Sequence, residues 1–287
     1  MTTLVADANV IAAYALREAL RRKVLVVVVI LTAAFLGLYG WGTKETFDAV
    51  QGNDASPLIR EQTIAGATLL GLAMFVTLFL GTVLAVFLTL NAVRGDAERG
   101  LLQPLVVRPL GRVSLLLGRF VAAAAVCGGY VLIVYGVAVL LTSTLGDYRP
   151  DDVIGPGVAL AAAVMIVVAL ALLGSTVLSA TANGIAVFMV FGAGLAAGLM
   201  GQIGDALDSS TLVDIADAAS WVLPFEALYQ QALHLLTEST SNFERVIVQL
   251  GPFGGARDAG PELWPWAAVY LVLVGLATAW RFSKMDL

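Results

Sequence analysis

Val24-Leu25-Val26-Val27-Val28-Val29-Ile30-Leu31 shows no alternation of polar and apolar side chains. A strand of a membrane barrel would be ~10 residues of alternating polarity. This stretch instead lies within an apolar run over 24–42, and a helix needs ~20 such residues to cross ~30 Å of hydrocarbon. Lipid satisfies no backbone groups, so a run of this kind must be helical.

Working outward, five further runs of the same character occupy 64–91, 115–142, 154–179, 184–201 and 263–282. The composition agrees. Hydrophobic residues make up 59% and charged residues 13%, against about 45–50% and about 25% in soluble domains. The expected fold is an all-α integral membrane protein with six transmembrane helices, forming a single domain over 1–287.

Between the second and third runs lies a polar island, Asn91 to Arg119, with Arg94, Arg99, Arg108, Arg112 and Arg119 against only Asp96 and Glu98. Short loops rich in Arg and Lys resist translocation, so this one is expected to be cytoplasmic. Sorting all charges by that assignment gives +6 inside and −11 outside, which together make the formal −5. Both termini then face the cytoplasm, in the cell membrane. The turn at 179–183 is placed inside by parity alone, with Asn183-Gly184 supplying the bend.

Residues 1–23 precede a full-length span, so they are expected to be retained rather than cleaved. Ala12, Ala13, Leu16, Ala19 and Leu20 share one helical arc, and Arg17, Glu18, Arg21 and Arg22 the other. That pattern suits an interfacial helix lying on membrane lipid. On the opposite side, 202–262 is too long for a bare connection. Pro224, Phe225, Leu228, Tyr229, Ala232, Leu233 and Leu236 predict an amphipathic helix with proline in its first turn. Leu212, Ile215, Ala216, Ala219 and Trp221 predict another before it. Both are expected as surface helices on the outer mouth of the bundle, with Gly251-Pro252-Phe253-Gly254-Gly255 leading into the last span.

Catalytic constellations are missing. The single histidine, His234, is far short of the three or four ligands of a zinc site, so no metal is expected. Cys127 is alone and can form no disulfide within the chain. The spans carry no central Asp, Glu or His of the kind ion-coupled carriers keep. No G-x-x-x-x-G-K-[ST] sequence occurs, so any ATPase is a separate polypeptide, and nothing points to nucleic acid. Gly194 and Gly198 are four apart, a spacing that lets two helix backbones meet closely in lipid, either within the chain or across a dimer.

The run Gly95-Asp96-Ala97-Glu98-Arg99-Gly100-Leu101-Leu102-Gln103-Pro104-Leu105, continuing through Arg108-Pro109 and Arg112 to Leu117-Gly118-Arg119, resembles the first cytoplasmic loop of type-2 ATP-binding-cassette (ABC) transporter permeases. The approach Tyr14 to Lys23, the stretch Gly174 to Phe191 and the ending Phe282 to Leu287 are similar to the same family, most closely to permeases of multicopper-enzyme maturation systems. The resemblance implies a six-span subunit that pairs in the membrane, as a homodimer here, and binds two copies of a cytoplasmic ATPase. ATP and magnesium would sit on that partner, with no cofactor on this chain. Its closing would pass through the loop 92–114 (Asp96, Glu98, Arg99, Gly100, Leu101, Leu102, Leu105, Arg108, Pro109, Arg112) and through the N-terminal helix. The resemblance also favours Gly194 and Gly198 meeting across the dimer, and it favours export.

The loop residues themselves fit a docking element. Leu101, Leu102, Leu105 and Val106 would line one side of a short helix capped by Asp96, ready for a groove on a partner or for the bundle itself. A rival reading makes the chain a membrane anchor or assembly scaffold, with an extracytoplasmic partner on the acidic 202–262 region.

Overall fold

In the computed structural model the chain is described over residues 23–51, 61–90, 112–146, 148–150, 152–237 and 257–284. Eight helices account for most of these residues: α1 Lys23–Gln51, α2 Glu61–Thr89, α3 Arg112–Leu145, α4 Ile154–Ser175, α5 Ala180–Ala206, α6 Ser210–Val222, α7 Pro224–Thr237 and α8 Leu263–Ser283. No strand occurs among the described residues. Six of the helices, all but α6 and α7, are long and apolar enough to cross a membrane. α1, α3 and α5 overrun the apolar stretches that predicted them at both ends, whereas α4 stops at Ser175, short of the expected 179. α3, with 34 residues, is about 51 Å long, well beyond the hydrocarbon thickness.

Side-chain contacts fix the directions. Thr32 meets Tyr130 and Tyr39 meets Thr142, so α1 and α3 run parallel. Gly81 faces Val131 and Gly66 faces Tyr148, which sets α2 antiparallel to α3. Gly157 lies against Tyr135 and Gly128 against Met165, so α4 returns antiparallel. Leu116, Leu172 and Phe282 form a small cluster joining the first turns of α3 to the last turns of α4 and α8. Lys23 and Lys284 therefore mark one end of the bundle, called basal below. The other end, apical, carries α6 and α7.

α4 is the central helix, with 67% of its span buried, whereas α1 and α8 have only 17% and 22% of theirs buried and lie at the rim. Its sequence explains this. Gly155, Gly157, Ala159, Ala161, Ala162 and Ala163 let neighbours approach closely, and packing rather than hydrophobicity is what holds helices together in lipid. Leu160, Val164, Leu70, Met74, Leu78, Cys127 and Val131 fill the core around it.

Two expectations change. The bend between the fourth and fifth spans is Thr176–Ser179 rather than Asn183-Gly184, and Asn183 already belongs to α5. Its Nδ2 reaches back to donate to Ala171 O, 2.9 Å away, which clips α5 to the end of α4. The second change concerns α7, which is no surface helix. Pro224 through Gln230 are all buried, because α7 sinks between α4, α5 and α8, whereas α6 buries only Ala216. The N-terminal helix, with Arg17, Glu18, Arg21 and Arg22, lies outside the described residues, as does the loop Gly251 to Gly255.

Candidate functional site

The apical half of α5 presents four buried glycines along one side, Gly194, Gly198, Gly201 and Gly204. Each is in contact with a different group of the same chain. A Cβ at Gly194 would stand 2.6 Å from the Phe225 ring, and one at Gly198 would collide with the Glu226 carboxyl and lie 2.7 Å from Gln230 Nε2. At Gly201 it would meet Arg257 Nη1 at 2.9 Å, and at Gly204 the Leu212 Cβ at 2.9 Å. The close approach implied by the Gly194/Gly198 spacing is thus made to α7 of the same chain. Phe225 completes that contact by stacking on Phe191, with ring centroids 5.8 Å apart.

The turn after α5 depends on Asp208, whose φ of 51° is left-handed. Ser209 N bonds to Gly204 O at 2.9 Å, a helix-ending arrangement in which the left-handed residue reverses the chain. Asp tolerates that conformation better than most residues. The reversal lays α6 across the end of α5, and Pro224 then opens α7 at a position where a missing N–H costs nothing.

Glu226 is carried into the interior by this path and is 3% exposed. Its carboxyl is hydrogen-bonded by Gln230 Nε2, one turn along α7. Burial pushes its pKa up to about 7, against smaller downward pulls from Gln230 and from the Arg257 charge. Tyr229 beside it is also shifted upward, by burial and then by the Glu226 charge. Arg257 is held by two acids: its Nε is 3.4 Å from Asp205 and its Nη1 3.0 Å from Asp217. The segment leading into α8 is fastened further along, where Ala259 N donates to Gln231 Oε1 at 2.8 Å and Trp266 Nε1 to Trp221 O at 2.9 Å.

Toward the basal end, a cavity of about 290 Å³ lies between α4 and α5 and is closed at one end by Phe191 and Phe225. Val167, Leu170, Val187 and Val190 give it aliphatic walls. Among the described residues no group of three or more His, Cys, Asp or Glu could hold a metal.

The residues expected to couple to an ATPase fall elsewhere. Asp96, Glu98, Arg99, Gly100, Leu101, Leu102, Leu105, Arg108 and Pro109 lie outside the described residues, in the connection from the basal end of α2 to α3. Arg112 is the first residue of α3. Sequence reasoning missed Glu226, Gln230 and Arg257. The usable signal was a Glu and a Gln one turn apart in a short helix already rich in apolar residues. What hid it was the burial of that helix on its polar side as well, made by glycines thirty residues upstream.

No curated protein matches the chain. The family described as ABC-2 family transporter protein matches residues 9–287. That match covers all six spans, the basic loop between α2 and α3, and the apical helices. It carries the family and not the narrower likeness to multicopper-enzyme maturation permeases. The chain is a multi-pass membrane protein with an ABC permease role, and it belongs to the ABC-2 transporter family.

Proposed function

We propose that this permease passes the nucleotide-driven closing of a separate cytoplasmic ATPase to a substrate, which is exported across the cell membrane. The observation that carries this reading is the family match from residue 9 to 287 on a six-span chain that has no phosphate-binding loop of its own. Two ATPase copies, holding ATP and magnesium, would serve a pair of permease chains. Charge supports the orientation: Lys23, Arg119, Arg281 and Lys284 fall toward the basal end, and Glu45, Asp48, Asp152, Asp205, Asp214, Asp217 and Glu262 toward the apical end. Under the positive-inside rule the basal end is cytoplasmic, which puts the loop from Asp96 to Arg112 within reach of the ATPase.

Leu101→Asp combined with Leu105→Asp tests the reading, by setting two carboxylates into an apolar contact at about 1–3 kcal/mol of desolvation. The expected result is loss of ATPase co-purification and of permease-stimulated ATP hydrolysis, with membrane insertion unchanged. Wild-type levels of both would remove the loop from the coupling path.

A second reading, an anchor for an extracytoplasmic partner, is favoured by one observation. Around α6, Leu207, Ile215, Trp221 and Val222 are exposed beside Asp208 and Asp214. Partner capture that survives loss of the ATPase would support it.

A further inference from the structure

We propose that the Glu226 carboxyl is a proton-binding site that latches α7 onto the glycine face of α5: protonated, it holds the two helices together, and ionised, it releases them. The inference is independent of what the permease carries. It rests first on space. The carboxyl is seated over Gly198, at a point where even a methyl group would collide with it, and it is 3% exposed. A neutral acid suits such a seat because burial penalises the charged form, and this outweighs the pull of the Gln230 bond toward the anion. An anion there is desolvated by burial to a degree that the Gln230 bond and the Arg257 charge do not offset, and the favourable alternative is to move outward.

The charged and titratable groups around Glu226 do not remove that penalty. On its own helix are Tyr229 and His234. α5 brings Asp205, α6 brings Asp214 and Asp217, and the approach to α8 brings Arg257, Asp258 and Glu262. α8 adds Tyr270 toward the same end, α4 has no titratable side chain, and α2 has only Glu61, at its first residue. Arg257 is the one nearby cation in this set, and it is already engaged by Asp205 and Asp217. The same arginine touches Gly201, one turn along the glycine face from Gly198, so the latch and the ion pairs share a single surface of α5.

The sign follows from the linkage between proton binding and conformation. Docked α7 holds its Glu226 proton up to about pH 7, whereas the same carboxyl in water would release it near 4.5. Across that window the docked state binds more protons, so docking weakens as pH rises and is weakest above the upper value.

The test uses the full chain in lipid nanodiscs, in a Cys127→Ala background. Infrared difference spectra report the carboxylic acid C=O stretch that disappears in Glu226→Gln, and so give the titration of this group alone. Maleimide labelling of Ala227→Cys, a buried α7 position, relative to the exposed Ser210→Cys cancels the pH dependence of thiol reactivity. The ratio should rise by about tenfold or more between about pH 5 and about pH 8. In Glu226→Gln it should stay at the low-pH value throughout, and in Gly198→Ala it should be high at every pH. If Gly198→Ala does not insert, the infrared titration and the Glu226→Gln profile still decide. Titration in the ordinary carboxylate range, or a labelling ratio that is flat in the unmodified latch, would overturn the proposal.

Discussion

Tyr39 on α1 and Thr142 on α3 share a hydrogen bond 2.5 Å long, hydroxyl to hydroxyl, inside the bundle. About two turns toward the basal end, Thr32 and Tyr130 repeat the pairing at 2.6 Å. α1 is otherwise the least buried span, with Val26, Val27, Val29, Ile30 and Leu31 all exposed, so these two rungs carry much of its attachment. Tyr39→Phe and Thr142→Val should each lower stability by about 0.6 kcal/mol and at most about 1.7. A double-mutant cycle in mixed micelles should return a coupling of similar size. Zero coupling would mean that α1 is held by shape alone.

Gly174→Ala is expected to damage the α4–α5 hairpin out of proportion to its size. The new methyl would collide with Asn183 Oδ1, and displacing that side chain breaks its bond to Ala171 O. Leaving such groups unpaired costs about 1–3 kcal/mol. Adding Asn183→Ala to the same variant should cost little more, because the collision is gone. Full additivity of the two losses would show that the side chains act independently.

Arg257→Ala should loosen α6 with little change in global stability, since its ion pairs are partly exposed and such pairs contribute about 0–1 kcal/mol. Hydrogen exchange over 210–222 should speed up. The same change has a second, signed outcome. The Arg257 charge pulls the Glu226 pKa down, so its removal should move the infrared titration of Glu226 to higher pH. A shift to lower pH would show that the arginine does not sense this carboxyl.

Sidedness is open to direct labelling. In a Cys127→Ala background, cysteines at Tyr148 and Ser210 should react with an impermeant maleimide from outside sealed cells, and cysteines at Ala97 and Ser283 should not. Reaction at Ala97 would invert the orientation.

Much of this architecture was legible in the residues. Apolar runs such as Val24 to Leu31 located the spans, because lipid permits only helices there, and Pro224 located the start of α7. Two features escaped for the same physical reason. Asn183-Gly184 has the composition of a turn, yet Asn183 finds an acceptor at Ala171 and continues the helix. Glu226 has the composition of a solvent-facing residue, yet it lies against a helix with no side chains to keep it out. In both cases a contact distant in sequence overruled a local preference. The coupling loop is the reverse case: Asp96 to Arg112 is readable as a motif, and its geometry falls outside the described residues.

The covering of the α5 glycines by α7 also determines what the rest of that helix offers to its surroundings. At 100° per residue the side opposite Gly194 and Gly198 carries Ile185, Met189, Ala196, Met200 and Ile203, and all five are exposed. Methionine is unbranched and adaptable, filling irregular gaps and tolerating exchange. A neighbouring helix, or an acyl chain, therefore meets α5 on a compliant surface that sets no fixed register. Substitutions there should be absorbed by side-chain rearrangement, while a single added methyl on the glycine side has nowhere to go.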